Sequence, residues 1–202
     1  RGTPRVAPPR GHDRLGLDVR IVAGLAKGRR LASPAGATRP TSDRAREALF
    51  NSLVAMLDVD GARVLDLFAG TGAVGLEALS RGAAEAVFVE SDRAALEVLR
   101  RNLDAVGLPG ATVVRRPVAA FLGGTPGTTP FDLIFADPPY ALDDAVLAAL
   151  LGNLVDGGWL ADDAVVVVER SARGAGPTWP PGLTAVRDRR YGEGVLWYGR
   201  RQ

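Results

Sequence analysis

The tetrapeptide Asp137-Pro138-Pro139-Tyr140 follows the apolar run Phe131-Asp132-Leu133-Ile134-Phe135-Ala136. Such a run, ended by two prolines, predicts a buried strand that empties into a stiff turn. The residue types suit one kind of chemistry. An exocyclic amine on a nucleobase is a poor nucleophile because its lone pair is delocalised into the ring. A carboxylate at Asp137 and the carbonyl of Pro138 can each accept one of its two N–H bonds. That draws the nitrogen toward a tetrahedral shape, with its lone pair aimed at an electrophilic carbon. Pro139 removes a competing donor, and Tyr140 offers a flat face for an extruded base. No strong base is required, because the amine becomes acidic only after it has gained its new substituent. Asp-Pro-Pro after a strand is also an ordinary chain reversal, so the tetrapeptide alone does not decide.

A second segment carries a ligand-binding signal. Val64-Leu65-Asp66-Leu67-Phe68-Ala69-Gly70-Thr71-Gly72-Ala73-Val74-Gly75 reads as a strand, a small-residue turn and a helix start. Such a turn lets backbone approach a ligand closely. Gly70, Gly72 and Gly75 satisfy G-x-G-x-x-G, and Glu90 lies twenty residues after Gly70, so a nicotinamide-dinucleotide reading has to be weighed. Asp66 argues against it. Its position resembles that at which methyltransferases place a carboxylate able to meet, directly or through water, the ammonium of a methionine moiety, whereas a pyrophosphate site has no use for that charge. Glu90 serves either reading, since a carboxylate at a strand end can accept both ribose hydroxyls. Asp66 as a plain loop acid, with glycines that only make a turn, is the bland alternative.

Both segments need a scaffold that brings them to one crevice. From Ala62 onward, short apolar runs alternate with amphipathic stretches, the pattern of a parallel sheet covered on both sides. Strands are expected at Arg63 to Leu67, Ala86 to Glu90, Thr112 to Arg115, Phe131 to Ala136 and Ala164 to Glu169. Helices are expected at Gly72 to Arg81, Arg93 to Val106 and Asp143 to Asn153. Thr184 to Arg190 and Val195 to Tyr198, joined through Tyr191-Gly192-Glu193-Gly194, predict an antiparallel pair closing the sheet. Upstream, Val19 to Ala23 and Arg29 to Ala32 suggest a hairpin, and Thr41 can cap a helix from Ser42 to Leu57 with Ala45, Leu49, Leu53 and Leu57 on one face. Residues 1–17, rich in Arg, Pro and Gly, read as a disordered leader. Residues 18–40 form a basic extension and 41–202 the main domain.

Composition removes whole classes of chemistry. There are no cysteines, and the one histidine, His12, lies in the leader, so thiol nucleophiles, zinc ribbons and histidine-based triads have no residues to use. No metal site is expected. No segment approaches the roughly 20 apolar residues a membrane span needs, which predicts a soluble, cytoplasmic chain. Net charge is only +2 but polarised: residues 1–46 hold 11 basic and 3 acidic side chains, the remaining 156 hold 14 and 20. A basic appendage on an acidic body points to a polyanionic partner.

Together these segments resemble the class I methyltransferases that act on amino groups. Arg20-Ile21-Val22-Ala23-Gly24, Lys27-Gly28-Arg29-Arg30-Leu31, Arg39-Pro40-Thr41-Ser42-Asp43-Arg44-Ala45-Arg46-Glu47 and the terminal Arg190-Tyr191-Gly192 narrow this to a resemblance to the bacterial RsmD family of small-subunit ribosomal RNA guanine-N2 methyltransferases. The resemblance implies a Rossmann-like α/β fold, a seven-stranded mostly parallel sheet with an antiparallel terminal strand, helices on both faces and a small basic hairpin extension. It implies S-adenosylmethionine as donor and S-adenosylhomocysteine as product, bound by Asp66, Phe68, Ala69, Gly70, Thr71, Gly72, Glu90, Ser91, Val118 and Thr41. Catalysis falls to Asp137, Pro138, Pro139 and Tyr140. Arg20, Lys27, Arg29, Arg30, Arg39, Arg44 and Arg46 are expected to grip 16S rRNA in the small subunit or an assembly intermediate, with the protein acting as a monomer. One departure stands out: Pro117 occupies the place where the family usually carries an acid that can bind the adenine amino group, which leaves that contact to the backbone of Val118 or to another side chain. An amino-methyltransferase acting on adenine in DNA or RNA shares the tetrapeptide. A catalytically idle RNA-binding assembly factor is the rival from another class, and the intact Asp137 with Gly70 and Gly72 argues against it.

Overall fold

The computed structural model describes residues 16–33, 43–127 and 129–202. The expected leader up to residue 15, together with Arg39 and Thr41, lies outside the described residues. Two strands, β1 (Gly16–Arg20) and β2 (Arg30–Ser33), pair antiparallel with Val19 opposite Leu31. Helix α1 (Asp43–Leu53) leads to strand β3 (Arg63–Leu67). Then follow α2 (Ala73–Ser80), β4 (Glu85–Glu90), α3 (Arg93–Val106), β5 (Ala111–Arg115), α4 (Val118–Leu122), β6 (Phe131–Ala136), α5 (Asp144–Asp156), β7 (Leu160–Ser171), β8 (Leu183–Tyr191) and β9 (Gly194–Arg201). The main sheet runs β5-β4-β3-β6-β7-β9-β8. Its first five strands are parallel, and β9 enters antiparallel between β7 and the edge strand β8. The α/β architecture is as expected.

Strand alternation splits the core into two layers. Val64, Phe88, Leu133, Phe135, Val165 and Val167 face α1, α2, α3 and the hairpin. Leu65, Leu67, Val89, Ile134, Val166 and Val168 face α4 and α5. The long crossover helices start from side-chain caps: Asp92 accepts from Ala95 N ahead of α3, and Asp143 from Ala145 N ahead of α5. Among the described residues no helix is long and apolar enough to cross a membrane.

The hairpin differs from expectation. Its first strand ends at Arg20 instead of continuing to Ala23, because Val22 N and Ala23 N donate to the carboxylate of Glu77 at 2.7 and 3.0 Å. Ser80 Oγ accepts from Ala26 N and donates to Ala23 O, and Leu25 N donates to Ser80 O. Residues 21–28 are thus clamped onto α2, all eight residues of which are buried. Gly16 and Leu17, expected in the leader, belong to β1. α1 is regular only to Leu53, and Leu57 packs against the core from the following turn. The short α4, unexpected from sequence, buries Val118 and Leu122.

Candidate active site

Parallel registers bring four strand ends into one row. Leu67 pairs with Val89 on one side and Ala136 on the other, and Ala136 pairs with Val168. The next residue on each strand is therefore Glu90, Phe68, Asp137 and Glu169, in that order across the sheet. With strands roughly 4.8 Å apart, Glu90 and Asp137 stand about 10 Å from each other. The strand order reverses between β3 and β6, where open α/β sheets leave a crevice at their carboxyl ends. Asp137 N reaches Leu67 O at 3.5 Å across that switch point. The two segments singled out by sequence meet there.

The loop after β3 is built by unusual backbone. Phe68 adopts φ 58°, a left-handed conformation costly for a bulky residue. Ala69 N donates to Val89 O, which ties the loop to β4. The glycines divide their labour: a Cβ on Gly72 would come 2.2 Å from Leu99 Cδ1 and one on Gly75 2.4 Å from the Phe88 ring, so both permit packing. Gly70 (φ 54°) has nothing closer than 3.9 Å and faces open space. It is the glycine that leaves room for a ligand.

The acids of the rim are held differently. Asp66 is 2% exposed and accepts from Gly75 N at 3.0 Å. Burial pushes its carboxyl up to about 8, against the lowering effect of that hydrogen bond and with the charges of Asp137 and Glu90 adding to the rise. Glu90 accepts from Gly70 N at 2.9 Å through one oxygen and from Ser91 N and Asp92 N at 2.7 and 2.8 Å through the other. A carboxylate offers about four acceptor sites, so Glu90 has room for one hydroxyl, where sequence reasoning allowed two. Partly buried Asp137 is raised above the carboxylate range, first by desolvation and then by the charge of Glu169. A surplus of desolvated negative charge around an open glycine fits a ligand bearing cationic groups.

Pro138 is buried and Pro139 exposed. Tyr140 is 62% exposed, its ring open to a partner. Thr71 and Ser91 lie at the loop surface, while the side chain of Val118 is buried beneath it and leaves only backbone to offer. Of the basic residues, Arg20, Lys27, Arg29, Arg30 and Arg44 are exposed. Arg20 pairs with Asp43 at 3.4 Å, and Arg29 Nη1 donates to Ala105 O. Arg46 is the correction: it is fully buried, bonded to Arg20 O and Asp43 Oδ1, and cannot reach an RNA backbone from there.

Sequence reasoning missed two polar residues. Asn102 on α3 is buried, accepts from Ala32 N, and donates to Ala32 O and Thr71 O, joining the hairpin to the glycine loop through one carboxamide. Nothing in a helical run marks it. Glu169 could have been found, since it closes the apolar run Ala164 to Val168 as Asp137 closes the apolar run of β6.

The family model described as conserved hypothetical protein 95 matches residues 19–200. Ribosomal RNA small subunit methyltransferase D of Escherichia coli K12 is 41% identical over 176 residues, 87% of this chain and 86% of that protein. The chain belongs to this family, the RsmD family. Solved relatives agree. The Escherichia coli protein yhhF superposes with TM-score 0.80 at 38% identity, covering 91% of this chain and 98% of that one. A hypothetical protein of Thermus thermophilus does so with 0.72 at 40%, covering 89% and 98%. RsmD-family membership thus extends over the hairpin, the glycine loop and the Asp137 turn alike.

Proposed function

We propose that this protein transfers a methyl group from S-adenosylmethionine to the exocyclic N2 amine of one guanine in 16S rRNA, within the small subunit or an assembly intermediate. It acts as a cytoplasmic monomer in which the basic extension of residues 18–40 serves the methyltransferase domain of residues 41–202. The observation that carries the reading is the meeting of the Gly70 loop and Asp137 across the switch point.

S-adenosylmethionine supplies an electrophilic methyl on a sulfonium and leaves as S-adenosylhomocysteine. Phe68, Ala69, Gly70, Thr71 and Gly72 form the cradle for it, Glu90 accepts a ribose hydroxyl, and Asp66 offsets the cationic end. Ser91, the backbone of Val118 and Thr41 complete the set. Asp137 and the Pro138 carbonyl accept the two N–H bonds of the amine, Pro139 holds the turn stiff, and Tyr140 stacks on the extruded base. Once the nitrogen has bonded the methyl group and become a cationic, protonated secondary amine, its surplus proton passes to Asp137, whose raised proton affinity makes it a ready acceptor. Arg20, Lys27, Arg29, Arg30, Arg39 and Arg44 contact phosphates; Arg46 leaves this set.

Incubating the protein with radiolabelled donor and small subunits, assembly intermediates or free 16S RNA from a deletion strain, followed by nucleoside analysis, tests this. Label in N2-methylguanosine is expected. Label in N6-methyladenosine would move the activity to the adenine reading, and no label with any substrate would favour the idle assembly factor.

A further inference from the structure

Past Asp137 the rim opens into a cleft of about 480 Å³. Tyr140, Asp144, Arg170, Arg173 and Glu193 are among the residues that line it. Arg170 is anchored through Nη2 to Leu142 O at 3.1 Å and Asp144 Oδ1 at 2.7 Å, and its Nη1 is buried with no partner. Ala172 N donates to Glu193 O at 2.8 Å, which locks the turn carrying Arg173 to the turn carrying Glu193. The Tyr140 hydroxyl is held above its ordinary value, first by burial and then by the charges of Asp137, Glu169 and Glu193. Tyr140, three residues along the chain from Asp137, thus lines one cleft with Glu193.

The mixed charge limits the occupant. A phosphate would meet the carboxylates of Asp144 and Glu193, whereas a neutral base edge that alternates donor and acceptor would satisfy both signs. Along its pairing edge guanine presents the N2 amine, then the N1–H donor, then the O6 acceptor. Adenine presents the N6 amine and then a bare N1 lone pair. Resting on the function proposed above, we infer that this cleft reads the target base, with Glu193 accepting guanine N1–H and the exposed guanidinium of Arg173 donating to O6. With an amine held at Asp137, adenine would turn its N1 lone pair toward a carboxylate. The site would then reject adenine by repulsion as well as by lost hydrogen bonds.

The test replaces the target guanine in reconstituted subunits by 2-aminopurine, which keeps the 2-amino group and lacks both N1–H and O6. The kcat/KM for methylation is measured for each substrate. Wild-type protein is expected to use 2-aminopurine about a hundredfold less well than guanine. Glu193→Ala and Arg173→Ala are each expected to lose about tenfold to hundredfold on guanine and to bring the two substrates to within a few-fold. Glu193→Gln, which retains a carbonyl acceptor, should recover part of the preference. Calorimetry with S-adenosylhomocysteine is expected to be unchanged in all three variants, which verifies folding. A Glu193→Ala protein that keeps the full wild-type preference would overturn the inference while leaving guanine methylation intact. Wild-type protein that methylates no guanine N2 would instead remove the reading beneath it, and the inference with it.

Discussion

On the β3–β4 side of the rim, the carboxylates of Asp66 and Glu90 accept N–H bonds from four backbone positions, Gly75, Gly70, Ser91 and Asp92. On the β6–β7 side, Asp137 has no such donor among the described residues and is flanked by another acid, Glu169. One half is a set of acceptors fixed in advance, suited to holding a ligand equally well before and during reaction. On the other, Asp137 keeps its acceptor sites open among the described residues, suited to a partner whose N–H bonds become better donors as charge develops. The same residue type serves binding or chemistry according to whether the backbone has already met its needs.

Removing Asp137 should break this contrast most sharply. Asp137→Ala is expected to lower kcat on the order of 10²–10³-fold while affinity for S-adenosylhomocysteine, measured by calorimetry, stays within a few-fold. Undiminished turnover would refute the division. Glu90→Ala should do the reverse, weakening donor affinity by about tenfold to hundredfold with little change in kcat. Because Glu90 also holds Gly70, Ser91 and Asp92, Glu90→Gln is the milder change: its one carbonyl can keep either the Gly70 N–H or the Ser91 and Asp92 pair, and a smaller affinity loss than in Glu90→Ala is expected. Equal losses in kcat and affinity for Glu90→Gln would show that the two halves are not separate.

Titration sharpens the comparison. Asp66 in the folded protein keeps its proton to about pH 8, whereas the unfolded chain sheds it near 3.8. Its contribution to stability therefore falls as pH rises from about 4 to about 8. Binding of a cation needs the ionised form, so affinity for S-adenosylhomocysteine should rise between pH 6 and 8, by at most about tenfold per pH unit. Asp66→Asn is expected to flatten that slope. A slope unchanged in the variant would transfer the effect to another group.

Legibility from sequence followed the same divide between backbone and side chain. The bounds of β3 and β6 were readable because apolar runs stop at a small-residue turn or at Asp-Pro-Pro, and those stops are local. β7 starts four residues before its apolar run. Leu160 pairs with Phe131 ahead of an irregularity in the register, and Asp163 lies there at φ 62°, so partner strands rather than local propensity extend the element. The hairpin shift and the Asn102 bridge depend on polar groups 55 and 70 residues away. Arg46 was legible and misread: with Leu49, Phe50 and Leu53 it falls at helical spacing on the buried face of α1.

That misreading gives the basic extension its own internal comparison, with the smallest expected effect. Arg29 and Arg30 are exposed where the loop of residues 21–28, clamped to α2 by Glu77 and Ser80, runs into β2, so they present charge from a rigid base. Each phosphate contact to single-stranded RNA contributes about 0.7 to the slope of log affinity against log salt. Neutralising both should lower the slope by about 1.4, a difference of roughly fivefold in affinity over a threefold change in salt. Arg46→Ala should leave the slope alone and lower the melting temperature, because it strips bonds from Arg20 O and Asp43 inside the fold. If filter binding gave Arg46→Ala the larger slope change, the hairpin would act through its attachment to α1 and not through phosphate contacts of its own.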